Sequence, residues 1–117
     1  MMHTIKCFKE AMEHNGPAII IAYSPCVEHG IVGGMSNSID QQKLSVECGY
    51  NILMHYKDNE LFIDSREPDF DKYNEFLSNE LRYKSLYTKN PSLAQDLLKE
   101  NIDYAKKRFD YYNNIKK

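Results

Sequence analysis

Gly16-Pro17-Ala18-Ile19-Ile20-Ile21-Ala22-Tyr23-Ser24-Pro25-Cys26 is the stretch on which the fold turns. Residues 18–23 are apolar at every position and rich in β-branched side chains, so a strand here would be buried on both faces. Strands of that kind lie inside parallel sheets covered by helices on either side. Just before it, residues 4–13 place Ile5, Phe8 and Met12 on one helical face, with Lys6, Lys9, Glu10 and Glu13 elsewhere. Asn15-Gly16-Pro17 ends that helix, since glycine suits the position past a helix end and proline cannot continue one. A helix feeding a two-sided buried strand is half of a βαβ unit. The strand needs parallel neighbours, and the rest of the chain offers few.

Residues 24–37 read as loop. Ser38 followed by Gln41 fits a capping box for a helix over 39–48, which Gly49 would end. Residues 51–57 and 60–64 read as two short strands joined by Asp58-Asn59, a hairpin turn. After the loop Arg66-Glu67-Pro68-Asp69, with Asp69 or Asp71 as a cap, a helix is predicted over 70–87, packing through Tyr73, Phe76, Leu77, Tyr83 and Tyr87. Asn90-Pro91 restarts the chain as cap and first-turn proline. Ala94, Leu98, Ile102, Ala105, Phe109 and Tyr112 then recur at steps of four and three, an apolar stripe that serves the core or an assembly face. The predicted fold class is therefore α/β: a helix–strand start of a truncated parallel sheet, a short hairpin, then two C-terminal helices. The chain is expected to form a single partial domain, with an α/β part over 1–64 and a helical part over 65–117.

Composition narrows the function classes. The chain has 117 residues, 42% hydrophobic and 27% charged, which suits one globular domain. Its net charge of −2 is spread evenly, so no basic face for nucleic acid is expected. The longest apolar run is far below the ~20 residues that span a bilayer, and no signal-peptide core opens the chain; no membrane contact and a cytoplasmic location are expected. Three widely spaced cysteines, Cys7, Cys26 and Cys48, argue against a disulfide framework.

One loop stands where chemistry would be placed. In open parallel sheets ligands bind beyond the carboxyl ends of strands. Ser24-Pro25-Cys26-Val27-Glu28-His29-Gly30 follows the predicted strand, stiffened by Pro25 and loosened by Gly30, Gly33 and Gly34. Cys26 is either a soft ligand for iron or zinc or a small buried hydrophobe. Cys26-x-x-His29 is also half of a zinc-type site that a second copy could complete. Cys7 and Cys48 are read as packing residues, and His3, His14 and His55 as ordinary surface or core histidines.

The run Ile-Ala-Tyr-x-x-Cys-x-x-x-Gly over 21–30, followed by Ile-Asp-Ser-Arg-x-Pro-Asp over 63–69, resembles the C-terminal part of the pyruvate:ferredoxin (flavodoxin) oxidoreductases. Residues 5–31, Gly34-Met35-Ser36, residues 45–50 and residues 76–83 extend the resemblance over nearly the whole chain. It implies the end of a thiamine-diphosphate-binding domain. It also implies that Cys26 is one of four ligands to the [4Fe–4S] cluster nearest the thiamine, the other three lying upstream. The chain has no Gly-Asp-Gly with a following asparagine pair for magnesium and diphosphate, and no Cys-x-x-Cys. It is also short between Tyr56 and Leu61, and His29 stands at a variable polar position. The expected function is that of a segment or subunit, inactive alone and carrying no catalytic residue of its own. It would bind no cofactor in isolation and take part in oxidative decarboxylation of pyruvate with CoA, with ferredoxin or flavodoxin as acceptor of the whole enzyme. The alternatives are a non-enzymatic metal or thiol module and an oligomerisation module. A homodimer is expected in isolation, because the predicted sheet lacks neighbours.

Overall fold

The computed structural model describes residues 2–115. The chain is mixed α/β: α1 (Met2–Glu13), α2 (Ser38–Glu47), β1 (Met54–Lys57), β2 (Glu60–Ile63), α3 (Tyr73–Asn79), α4 (Leu81–Lys89) and α5 (Pro91–Ile115). Single 3-10 turns at Met35–Asn37 and Phe70–Lys72 lead into α2 and α3.

The core forms where α2, α3 and α5 meet. Cys48, Tyr73, Phe76, Leu77 and Ala105 are buried there, with Leu44, Tyr50, Phe70, Tyr83, Leu98 and Ile102 packed around them. The predicted stripe of α5 does face inward, and Ala105, wholly buried, lets that helix approach closely. Arg108 of the same helix donates from Nη2 to the carbonyls of Gly49 (2.9 Å) and Tyr50 (2.6 Å), just past the end of α2. A cation at that place also suits the negative end of the α2 dipole. Gly49 itself sits at φ +79°, and a Cβ there would lie 2.8 Å from Pro68 Cβ, so the turn requires glycine.

The hairpin forms at the predicted turn, with its first strand shorter than the expected 51–57. β1 and β2 pair antiparallel from Met54 opposite Ile63 to Lys57 opposite Glu60. Asp58 and Asn59 both have positive φ, 52° and 66°, as a two-residue turn matching the strand twist requires. Asn90 accepts from the Leu93 amide at 3.1 Å, and Asp69 from the Asp71 amide at 3.2 Å, so both predicted caps are in place.

Four details differ from the sequence reading. Residues 19–23 are not part of a sheet, and Ile19 and Ile21 are 88% and 94% exposed. The only strand ladder among the described residues is the hairpin, so the segment has nothing to pair with. Second, α1 forms, but Ile5, Phe8 and Met12 remain exposed, and the helix is attached instead through the polar side chains of His3 and Lys6 to Asp64. Third, Ser38 and Gln41 make no capping box. Ser38 is already helical, Asn37 is the cap residue, and Gln41 is buried with its amide turned to α3. Fourth, the helix predicted over 70–87 is broken at Glu80, whose backbone is extended (φ −86°, ψ 115°).

Candidate functional site

Two tyrosines and a backbone pairing place the Cys26 loop. Upstream, the Tyr23 ring rests against Tyr50 (centroids 6.3 Å apart), and Tyr50 against Phe76 of the core (4.5 Å). Pro25 is buried. The chain then turns on Cys26, whose carbonyl accepts from the amides of His29 (3.2 Å) and Gly30 (3.1 Å). Gly30 takes φ +66° against Leu81, where a Cβ would come within 2.6 Å of Cδ1. Downstream, Ile31 forms an antiparallel bridge with Glu80. The Val32 amide donates to the Asn79 carbonyl (2.9 Å), and the Leu81 amide to the Gly30 carbonyl (3.2 Å).

The result is an exposed thiol on a loop fixed at both ends. Cys26 is exposed, which removes the reading of it as a buried hydrophobe. His29, half-buried on the same turn, has its backbone engaged in that turn. The other two thiols differ. Cys48 is fully buried, and burial pushes its pKa up. Cys7 is half-buried beside His3 (Sγ to Nε2, 3.6 Å), and burial and the Asp64 charge raise its pKa too. Raised thiols are poor ligands and nucleophiles at neutral pH.

Around the upstream root of the loop stands a group of phenols. Burial raises the pKa of Tyr23, with the charge of Glu80 adding to it. Tyr73 is pushed up to about 12 by burial, and burial raises Tyr50 as well. These hydroxyls stay protonated at neutral pH.

Two clusters went unseen in the sequence. Asp64 Oδ2 is met by His3 Nε2 at 3.0 Å and His55 Nδ1 at 2.7 Å, with Lys6 Nζ at 3.4 Å from Oδ1. His55 also stacks on Phe62 (4.8 Å, 8°). Gln41 Nε2 donates to both the Phe76 carbonyl (3.0 Å) and Glu80 Oε1 (2.8 Å), all buried. Nothing in local spacing signals either cluster; the partners lie up to 61 residues apart.

Among the described residues no three His, Cys, Asp or Glu side chains form a group able to hold a metal ion. Cys26 presents an exposed thiol on a fixed turn, and the apolar segment before it is exposed and unpaired. A mixed α/β chain with so much apolar surface left open has the character of a piece of a larger protein. Nearly the whole chain is homologous to one segment of the pyruvate-flavodoxin and pyruvate:ferredoxin oxidoreductases. It is 34% identical over 119 residues to the pyruvate-flavodoxin oxidoreductase of Klebsiella pneumoniae, covering 96% of this chain and 10% of that protein. The corresponding enzyme of Trichormus variabilis is 37% identical over 120 residues, covering 97% and 10%. The pyruvate:ferredoxin oxidoreductase of Moorella thermoacetica is 34% identical over 118 residues, covering 95% and 10%. The chain thus spans about a tenth of the length of the curated relatives it matches. No protein-family profile matches it.

Proposed function

We propose that this chain is the closing segment of the thiamine-diphosphate domain of a 2-oxoacid:ferredoxin (flavodoxin) oxidoreductase, and that it supplies Cys26 as one of four ligands to a [4Fe–4S] cluster. The carrying observation is the exposed Cys26 thiol on its two-rooted turn, in a chain homologous to pyruvate oxidoreductases along nearly its whole length. Thiolate is the donor such clusters take. When bound, the cluster supplies one-electron transfer; the chain's own residues hold the thiolate in place and keep the turn rigid. In this reading magnesium and thiamine diphosphate are held by the remainder of the enzyme, and the segment contributes packing around them. The exposed side chains of Ile5, Phe8, Met12, Ile19 and Ile21 are the surface on which that remainder sits, with residues 19–23 adding a strand to its sheet.

The chain is then a single partial domain, α/β over 1–64 and helical over 65–117, inactive alone. Its place in this reading is the cytoplasm. No helix among the described residues is long and apolar enough to cross a membrane. The reaction of the assembled enzyme would be oxidative decarboxylation of pyruvate with CoA, with ferredoxin or flavodoxin taking the electrons. The test is complementation. A relative's enzyme lacking its matching segment is mixed with this chain, and pyruvate-dependent reduction of ferredoxin or flavodoxin is followed. Activity in the mixture, and in neither part alone, is expected; activity of the truncated enzyme without the chain would overturn the reading.

A further inference from the structure

We propose that Glu80 positions Cys26, acting through the break it makes between α3 and α4. Its importance for a cluster rests on the function proposed above; the placement of the loop does not.

The hydrogen bonds show how the break is held. In an unbroken helix the Phe76 carbonyl would accept from the amide four residues on, which is Glu80's own. That amide turns to Leu77 instead (3.1 Å), leaving the Phe76 carbonyl open in a buried place. Gln41 fills it. One Nε2 group reaches the Phe76 carbonyl at 3.0 Å and Glu80 Oε1 at 2.8 Å, so a single amide satisfies both the orphaned backbone group and the buried carboxyl oxygen. Glu80 is only 6% exposed, and Gln41 is its side chain's hydrogen-bond partner. An unpaired group there would be costly, so the two side chains select this backbone over the continuous helix.

The break then becomes a docking edge. With Glu80 extended, the Asn79 carbonyl and the Leu81 amide point outward from the helix path and are taken by Val32 and Gly30. The turn from Cys26 to Gly30 hangs directly from this pairing, with Ile31 buried beside it. At the other root, Tyr23 packs through Tyr50 onto Phe76, whose carbonyl shares the Gln41 amide with Glu80. Glu80 therefore stands between the two points that fix the loop. Cys26 itself makes no side-chain hydrogen bond among the described residues, so its position is inherited from these roots.

The experiment uses the full chain carrying Cys7→Ser, with a nitroxide attached at Cys26. Its spectrum reports the mobility of the Cys26 turn, and amide exchange at Val32 and Leu81 reports the docking edge. Glu80→Leu should narrow the nitroxide lines and speed both amides at least tenfold, while Cys48 stays closed to thiol reagents. Glu80→Gln keeps an oxygen that accepts from Gln41 and should restore the spectrum of the unaltered chain. That rescue separates positioning from simple loss of packing. Where Glu80→Leu opens Cys48 and so loses the core, Gln41→Met is read in the same way, since it removes the donor and keeps the length. An unchanged nitroxide spectrum in the folded variant overturns the proposal, and so does a Glu80→Gln chain as mobile as Glu80→Leu. In complex with the rest of a relative's enzyme, the folded variant without the nitroxide, its Cys26 thiol free, should also shift the cluster's electron paramagnetic resonance signal. Failure of any cluster to form with the unaltered chain would count against Cys26 as ligand and leave the nitroxide result standing.

Discussion

Asp64 carries the attachment of α1, because that helix buries no residue of its own. Burial raises the Asp64 carboxyl, but the hydrogen bonds from His55 and His3 and the charges of His55 and Lys6 outweigh it and hold its pKa below the usual carboxylate value. A depressed carboxylate stabilises the folded state above its unfolded pKa, and that contribution is lost as pH falls through the folded value. Amide exchange within α1 should therefore accelerate in acid before exchange in α3 does. Asp64→Asn should release α1 at neutral pH, at a cost of about 1–3 kcal/mol to that attachment; equal protection of α1 in both chains would refute it. At the thiols, native-state labelling should run Cys26 first, Cys7 next and Cys48 last, since only Cys26 is exposed and the others have raised pKa values. Cys7 or Cys48 reacting before Cys26 would remove the structural basis for Cys26 as a ligand. That Cys26 stands on a loop turn could be read from the sequence because the signal is local: proline, cysteine and glycine within one turn. The His3–Asp64–His55 cluster could not, since each member looks ordinary until α1 is laid against the hairpin.

Elements with a local cause were legible. Asp58-Asn59 supplies two residues that tolerate positive φ, and the hairpin follows with its predicted turn. Asn59→Ala should cost about 1 kcal/mol, the penalty of the left-handed region for a side chain without a local hydrogen bond, read as a lower denaturation midpoint. The α5 stripe was also legible, since its period of four and three depends on the helix alone. The break at Glu80 was not. Residues 70–87 have the periodicity of one helix, and what interrupts it is Gln41, 39 residues upstream. The capping box failed for the same reason: Gln41 satisfies a tertiary bond in place of the local one. Phe76 is where these elements meet, 1% exposed at the junction of α2, α3 and Tyr50. Phe76→Ala should cost about 3–5 kcal/mol by leaving a cavity. A loss below 1 kcal/mol in chemical denaturation would mean the core lies elsewhere.

The whole molecule is more open than its length requires. Its radius of gyration is 16.2 Å, whereas a compact domain of this length has about 13 Å. It exposes 8706 Å², against about 6,600 Å² for a compact monomer of its mass. The excess of roughly 2,000 Å² is the size of a substantial protein interface. Much of it is apolar surface that the sequence marks for burial: the α1 stripe and residues 19–21. The segment that reads in sequence as a buried strand therefore stands in the structure as an exposed, unpaired stretch of chain. In isolation that surface should drive self-association, most simply as a two-fold dimer. Sedimentation equilibrium at tens of micromolar should show species above 13.7 kDa; a clean monomer across that range would mean the surface is tolerated in water. The central claim is that Cys26 completes a cluster whose other ligands lie on a second polypeptide. It is tested most directly by counting iron in the purified complex of this chain with a relative's enzyme lacking the matching segment. The complex with the unaltered chain should carry one [4Fe–4S] cluster more than the complex with Cys26→Ser, a difference of about four irons. Equal iron in the two complexes, both fully assembled, would contradict it.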